Sequence, residues 1–191
     1  MTAIAQAAPG PWSVTTRVIV YSAIGAALYA LFNWIAFAIQ IPGTENVSVR
    51  PHYGLLTFFG FAFGPVVGFL TGFVGNTVGD QLAYGSAFGS WWWSVANGLA
   101  GLVAGVFPFW LASRMTSTGS KAFWAAVAGV VGTVVGFLFI WIELIIQPEL
   151  GFNTILTGEY IPVVIGNSIA AAIVTPILVL AWEPLSEQLG R

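Results

Sequence analysis

The sequence predicts an all-α membrane protein built as a bundle of six transmembrane helices. Three observations carry that prediction. Five Lys or Arg and seven Asp or Glu supply all the charge in 191 residues, 6% against about 25% in a soluble domain. Apolar residues make up 58%, and the mean hydropathy is +0.89. The apolar residues also fall into long runs, separated by short polar segments rich in Pro and Gly. Such a chain cannot cover itself with solvated groups, so its solvent is largely lipid.

The same composition excludes several functions. There is no cysteine, so disulfide scaffolds, thiolate metal sites and thiol catalysis are ruled out. The five basic residues are scattered and form no stripe for a nucleic acid. The single histidine, His52, has no second His or Cys to join it in a metal site. No metal or cofactor is expected. No nucleophile–base pair and no Walker loop is present, so the chain does not read as an enzyme.

The elements follow in order. Residues 1–16, with Pro9, Gly10 and Pro11, read as a flexible lead-in, and residues 17–191 as the transmembrane domain. The apolar run Val18–Ile41 follows the first basic residue, Arg17. It is too long for a signal-peptide core and reads as span 1. Pro42–Pro51 is a polar loop bounded by prolines. The stretch from His52 to Tyr84 is too long for one span and divides at Phe63–Gly68 (FGPVVG). Span 2 is then short, Tyr53–Phe63. Span 3 is Pro65–Ala83, with proline at the first helical position, where its missing N–H is not needed. After the loop Tyr84–Ser90 come span 4 (Trp91–Ala112), the polar run Arg114–Ser120 and span 5 (Ala122–Ile146). The loop Gln147–Glu159 leads to span 6 (Tyr160–Trp182). Six spans put both termini on one side. Arg17, Arg114, Lys121 and Arg191 share that side and Arg50 lies opposite, so the positive-inside rule makes both termini cytoplasmic.

Small residues mark close helix contacts, which in lipid favour van der Waals packing. Span 3 carries Gly64, Gly68, Gly72, Gly75 and Gly79, span 4 carries Gly98, Gly101 and Gly105, and span 5 carries Gly129, Gly132 and Gly136. On span 1, Ala23, Ala27 and Ala30 share one side, and Ala26 pairs with Ala30. Such a face either packs inside the bundle or docks a partner protein.

The polar groups converge towards the outer side. Glu143 lies inside span 5, about one turn from its end, where an acid is costly unless it faces the bundle or a watery cavity. Asn97 and Asn167 lie at similar depth on spans 4 and 6. Trp93 shares a face with Asn97, four residues on. Trp141 and Gln147 border Glu143, Tyr160 stands at the mouth of span 6, and Asp80 and Tyr84 end span 3. Aromatic walls with a few polar anchors suit a small planar ligand. The plainer readings are an interfacial aromatic belt for Trp91–Trp93 and interhelical hydrogen bonds for the acid and the amides. His52 is either a rim residue or a satisfied interfacial histidine. A stand-alone small-solute channel or secondary transporter is the alternative to a binding subunit, although no internal repeat of the transporter kind is visible.

The segment Val49–Asp80, VRPHYGLLTFFGFAFGPVVGFLTGFVGNTVGD, resembles the substrate-binding S-components of energy-coupling-factor (ECF) vitamin transporters. The resemblance is to the group that includes riboflavin and vitamin-precursor uptake subunits. It implies a six-helix bundle that binds a micronutrient on its outer side and joins a transmembrane coupling subunit and two cytoplasmic ATPases. It further implies that an Ala-x-x-x-Ala pattern on helix 1, here Ala23–Ala27 or Ala26–Ala30, contacts the coupling subunit. The loop between helices 1 and 2 would act as a lid, with Asn46 and Arg50 among its ligand contacts. Helices 4 to 6 would supply the remaining contacts, which matches Trp93, Asn97, Glu143 and Asn167.

Overall fold

The computed structural model describes residues 10–35, 39–44 and 47–188. Asn46, Arg191 and most of the N-terminal lead-in therefore lie outside the described residues. Helix α1 spans Thr16–Ile35, and a two-residue hairpin, β1 (Ile39–Gln40) with β2 (Ser48–Val49), follows it. Then come α2 (Gly54–Phe63), α3 (Pro65–Tyr84), α4 (Trp91–Leu111) and α5 (Thr118–Gly136). The axis of α5 continues through a 3₁₀ stretch, Phe137–Ile142, into α6 (Glu143–Ile146). After a short turn, α7 (Gly151–Thr154), a π-helical stretch (Ile155–Tyr160) and α8 (Ile161–Gln188) run on without a break.

Local chemistry explains the boundaries. Gly64 separates α2 from α3 at φ +106, a left-handed-side conformation open to glycine, and Pro65 opens α3 as the sequence predicts. A capping box starts α5: Ser117 Oγ accepts from the Ser120 N–H at 3.2 Å, and Ser120 Oγ accepts from the Ser117 N–H at 3.0 Å. Gly85, also left-handed, closes α3 through its N–H to the Gln81 carbonyl.

Helix α2 is the hub. It packs against α1, α3, α4, α5 and α8, and seven of its ten residues are buried. Ten residues rise only about 15 Å, half of the roughly 30 Å hydrocarbon core. A helix walled in by protein need not cross the lipid itself. Its polar groups are satisfied locally: Thr57 and Thr175 hydroxyls lie 2.6 Å apart, and both bond the Gly54 carbonyl.

Among the described residues, four helical segments are long and apolar enough to cross a membrane: Thr16–Ile35, Trp91–Arg114, Thr118–Ile146 and Gly151–Gln188. The remaining two of the expected six spans exist as helices but do not meet that measure. α2 is too short, and α3 carries Asn76, Thr77, Asp80 and Gln81 in its last turns. Two further expectations need correcting. Span 1 is described as helix over Thr16–Ile35 and does not reach Ile41, because Ile39–Gln40 pairs with Ser48–Val49. The loop expected at Gln147–Glu159 is largely helical, since the last helix begins at Gly151, whose φ of +71 makes the turn. Outside, α8 presents Ile165, Ile169, Ile173 and Ile177 at four-residue intervals, each more than half exposed, as a lipid-facing row should be.

Two apolar clusters fill the interior. One, towards the start of α1 and the end of α8, gathers Phe58, Phe59, Phe61, Val67, Ala104 and Ala128, with Tyr21, Phe63 and Trp182 against it. Lys121 and Glu183 pair at 2.5 Å at this end, and the Arg114 guanidinium lies 5.9 Å from the Trp124 ring. The second cluster lies towards the opposite end and includes Tyr29, Tyr53, Ala96, Phe137, Ile140 and Val163.

Helix α3 meets α4 backbone to backbone. A methyl group placed on Gly101 would stand 2.2 Å from the Gly68 carbonyl oxygen. Gly101→Ala should therefore cost about 1–3 kcal/mol through overpacking, read as a lower unfolding midpoint in detergent. Gly119→Ala, which meets only open space, should stay within about 0.5 kcal/mol of the parent.

Candidate functional site

A cavity of about 660 Å³ opens at the end of the bundle away from the Lys121–Glu183 pair. Four parts of the chain wall it. The hairpin and its exit contribute Val47, Ser48 and Arg50, and the end of α3 contributes Asn76, Asp80 and Tyr84. The start of α4 contributes Trp92, Trp93 and Asn97. The last wall runs from Phe137 through Glu143 and Gln147 to Glu159, Val163 and Asn167.

The wall of α4 and α6 is organised around one carboxylate. The indole N–H groups of Trp92 and Trp93 both donate to Glu143 Oε1, that of Trp93 at 2.9 Å. Glu143 is 1% exposed, and its second oxygen, Oε2, is buried without a hydrogen-bond partner. The 3₁₀ stretch Phe137–Ile142 turns the chain so that Phe137 packs on Trp93, centroids 5.9 Å apart, while Glu143 faces the indoles. Asn167 on α8 is also buried, and its Oδ1 has no partner.

The opposite wall is a connected polar network. Arg50 Nη1 donates to Asn76 Oδ1 at 2.8 Å, and Asn76 Nδ2 donates to Asp80 Oδ2 at 2.8 Å and to Ser94 Oγ at 3.0 Å. Asn33 of α1 donates to Asp80 Oδ1 at 3.5 Å. One turn earlier on α1, the Tyr29 hydroxyl donates to Asn97 Oδ1 at 3.1 Å, and Asn97 Nδ2 donates to the Trp93 carbonyl at 2.8 Å. Arg50 thus ties the end of the hairpin to α3, and α1 reaches the cavity lining through two side chains.

Most of the residues singled out from sequence meet here: Arg50, Asp80, Tyr84, Trp93, Asn97, Glu143, Gln147 and Asn167 all line the cavity. Three do not. Trp141 packs outside it on Phe152 and Tyr160, with centroids 5.1 and 5.7 Å away. The Tyr160 hydroxyl donates to the Val134 carbonyl at 3.1 Å. The His52 ring is buried edge-on to Tyr29 at 5.2 Å and over Phe32 at 6.4 Å. The helical course of residues 151–160 explains the first two displacements, because it carries Glu159, not Tyr160, inward. Trp92 is the clearest omission, since only Trp93 of the three tryptophans was expected to face a ligand. Asn76, Tyr29 and Asn33 were also missed. A usable signal existed: Asn76–Asp80 and Tyr29–Asn33 are both four-residue polar pairs within otherwise apolar helices. On α1 the two alanine pairings separate. Ala26 and Ala30 are buried in the bundle, whereas Ala23 and Ala27 are exposed.

Comparison with known proteins is consistent with this architecture. A family model described as "ECF-type riboflavin transporter, S component" matches residues 13–183. A UPF0397 protein of Aliivibrio salmonicida is 31% identical over 129 residues, 65% of this chain and 68% of that protein. A UPF0397 protein of Streptococcus gordonii is 31% identical over 98 residues, 51% of this chain and 50% of that protein. One from Aliivibrio fischeri is 35% identical over 105 residues, 55% of each. The match thus spans only about half the length of the relatives from S. gordonii and A. fischeri. No solved structure matches the chain significantly. With a family match over nearly its whole length, the chain belongs to the ECF-type riboflavin transporter S-component family, and its long apolar helices are those of a multi-pass membrane protein.

Proposed function

We propose that this protein is the membrane-embedded, high-affinity binding subunit for uptake of a small aromatic vitamin or vitamin precursor. In this reading the bundle crosses the membrane six times with both termini cytoplasmic. The ligand enters the cavity from outside, and a coupling subunit with two cytoplasmic ATPases drives its transfer. The observation that carries the reading is the cavity itself. Its volume, about 660 Å³, lies within the 300–1,000 Å³ range of small-molecule sites. Trp92, Trp93 and Phe137 offer ring surface, and buried carboxylate and amide groups offer orientation.

The charge distribution supports the orientation. Arg17, Arg114 and Lys121 lie towards the end away from the cavity, where the positive-inside rule places the cytoplasm. Arg50 and three of the acids, Asp80, Glu143 and Glu159, line the cavity. Filled packing favours a binding subunit over a channel, because Phe58, Phe59, Phe61 and Val67 occupy the bundle on its other half. Riboflavin is a candidate ligand through the family's description. The acidic lining also suits a neutral or cationic compound of the thiamine or pyridoxine type. The hairpin that carries Val47, Ser48 and Arg50 to the cavity mouth suits a lid, and the exposed Ala23–Ala27 face suits the coupling subunit.

Two experiments test this. The protein purified in mild detergent should carry or bind a vitamin-sized aromatic molecule, identified by absorbance and mass spectrometry and seen as quenching of tryptophan fluorescence. Solute flux through liposomes that contain this chain alone would instead establish the channel. Replacing Ala27 with Trp should abolish capture of a coupling subunit and leave ligand affinity within about twofold, a change below 0.5 kcal/mol. Ala26→Trp should lower stability as well, because Ala26 is buried.

A further inference from the structure

One amide on α3 joins three parts of the chain. Asn76 is 1% exposed, and its side chain is engaged at both ends. Its Oδ1 accepts from Arg50 Nη1 at 2.8 Å, and its Nδ2 donates to Asp80 Oδ2 at 2.8 Å and to Ser94 Oγ at 3.0 Å. The Asp80 carboxylate can only accept, so it draws Nδ2 to itself and turns Oδ1 towards the guanidinium. A carboxylate at position 76 would lack those donors and stand one helical turn from Asp80 as a like charge. An apolar side chain would offer Arg50 nothing.

Arg50 occupies a particular place in the chain. It directly follows β2 and directly precedes Pro51, where the chain enters the bundle. The next two residues, His52 and Tyr53, are buried, and the His52 ring sits against Tyr29 and Phe32 of α1. Below Arg50 the backbone is therefore fixed, and above it stands the hairpin. Val47 also reaches the core, at 4% exposed, whereas Pro42 and Gly43 at the turn are exposed.

Resting on the reading of the hairpin as a lid over a vitamin site, we infer that Asn76 is the positioning residue of that lid: it holds Arg50 from α3 and so governs how long the hairpin stays over the cavity. The hold is made of the chain's own side chains, so release of a ligand requires it to break. A buried hydrogen bond from a guanidinium is worth about tenfold or more in such an opening equilibrium.

The first arm of the test needs no ligand. Hydrogen exchange of the full chain in mild detergent is followed at the Ile41 amide, which donates to the Val47 carbonyl at 2.8 Å. Asn76→Leu and Arg50→Gln should each speed this exchange about tenfold. The double variant should exchange no faster than either single one, because the two residues act through one contact. Exchange at Leu56 in α2 should stay unchanged, which a general loss of stability would not allow. Should Asn76→Leu not fold, Asn76→Ser takes its place in the cycle. The second arm reads riboflavin dissociation by stopped-flow tryptophan fluorescence, and both single variants should release it about tenfold faster. Unchanged Ile41 exchange in either single variant, or accelerations that multiply in the double variant, would overturn the inference and leave the vitamin site standing. Faster exchange with unchanged riboflavin release would overturn the control of residence time. If the parent binds neither riboflavin, thiamine nor pyridoxine, the vitamin reading fails, and the exchange arm alone decides the role of Asn76.

Discussion

The convergence of two indole N–H groups on one oxygen of Glu143 is the interaction on which the site depends. A carboxylate this deep in a membrane bundle must be given donors or it will not be tolerated. Trp92 and Trp93 supply them from the first turn of α4. To reach them, the chain after α5 departs from α-helical geometry and runs as a 3₁₀ stretch for the six residues before Glu143. One electrostatic requirement therefore fixes the rotation of α4, the path of the α5 extension and the aromatic surface between them. It also leaves the second carboxylate oxygen buried without a hydrogen-bond partner.

The packing below makes that space possible. Helices α2, α3 and α4 approach at glycines, where carbonyl groups of one backbone touch the next. Close contact at that end lets short α2 sit wholly inside protein. The bundle then diverges towards the hairpin, and the gap is lined by whatever polar groups the helix ends carry. Tyr29 and Asn33 tie α1 to that lining. The opposite face of the same helix exposes Ala23 and Ala27. The helix proposed to dock the coupling subunit is thus hydrogen-bonded directly to residues of the cavity, which gives docking and binding a shared rigid element.

Much of this was legible in the sequence for a plain reason. In a chain so poor in charge, each buried acid or amide stands out against an apolar background, so Glu143, Asn97, Asn167 and Asp80 could be selected singly. The division of the 52–84 stretch at Gly64–Pro65 was legible because both residues have strong backbone preferences. What was not legible depended on helix phase and path. Whether Trp92 or Trp93 faces inward turns on 100° of rotation, and here both indoles reach the same oxygen. The π-helical stretch before α8 shifts the inward face from Tyr160 to Glu159, and no residue type announces such a shift. The span count was only partly legible, since α2 is a buried half-length helix and α3 has a polar end, so neither shows the length and apolarity of an ordinary span.

The most direct test of the account is a structure of the protein with its co-purified or added aromatic ligand. The ring should lie in the cavity against Trp93, with a polar atom within hydrogen-bond distance of a lining side chain such as Asn97, Glu143 or Asn167. A ligand bound on the outer lipid-facing surface, or one that touches none of Trp93, Asn97, Glu143 and Asn167, would contradict it.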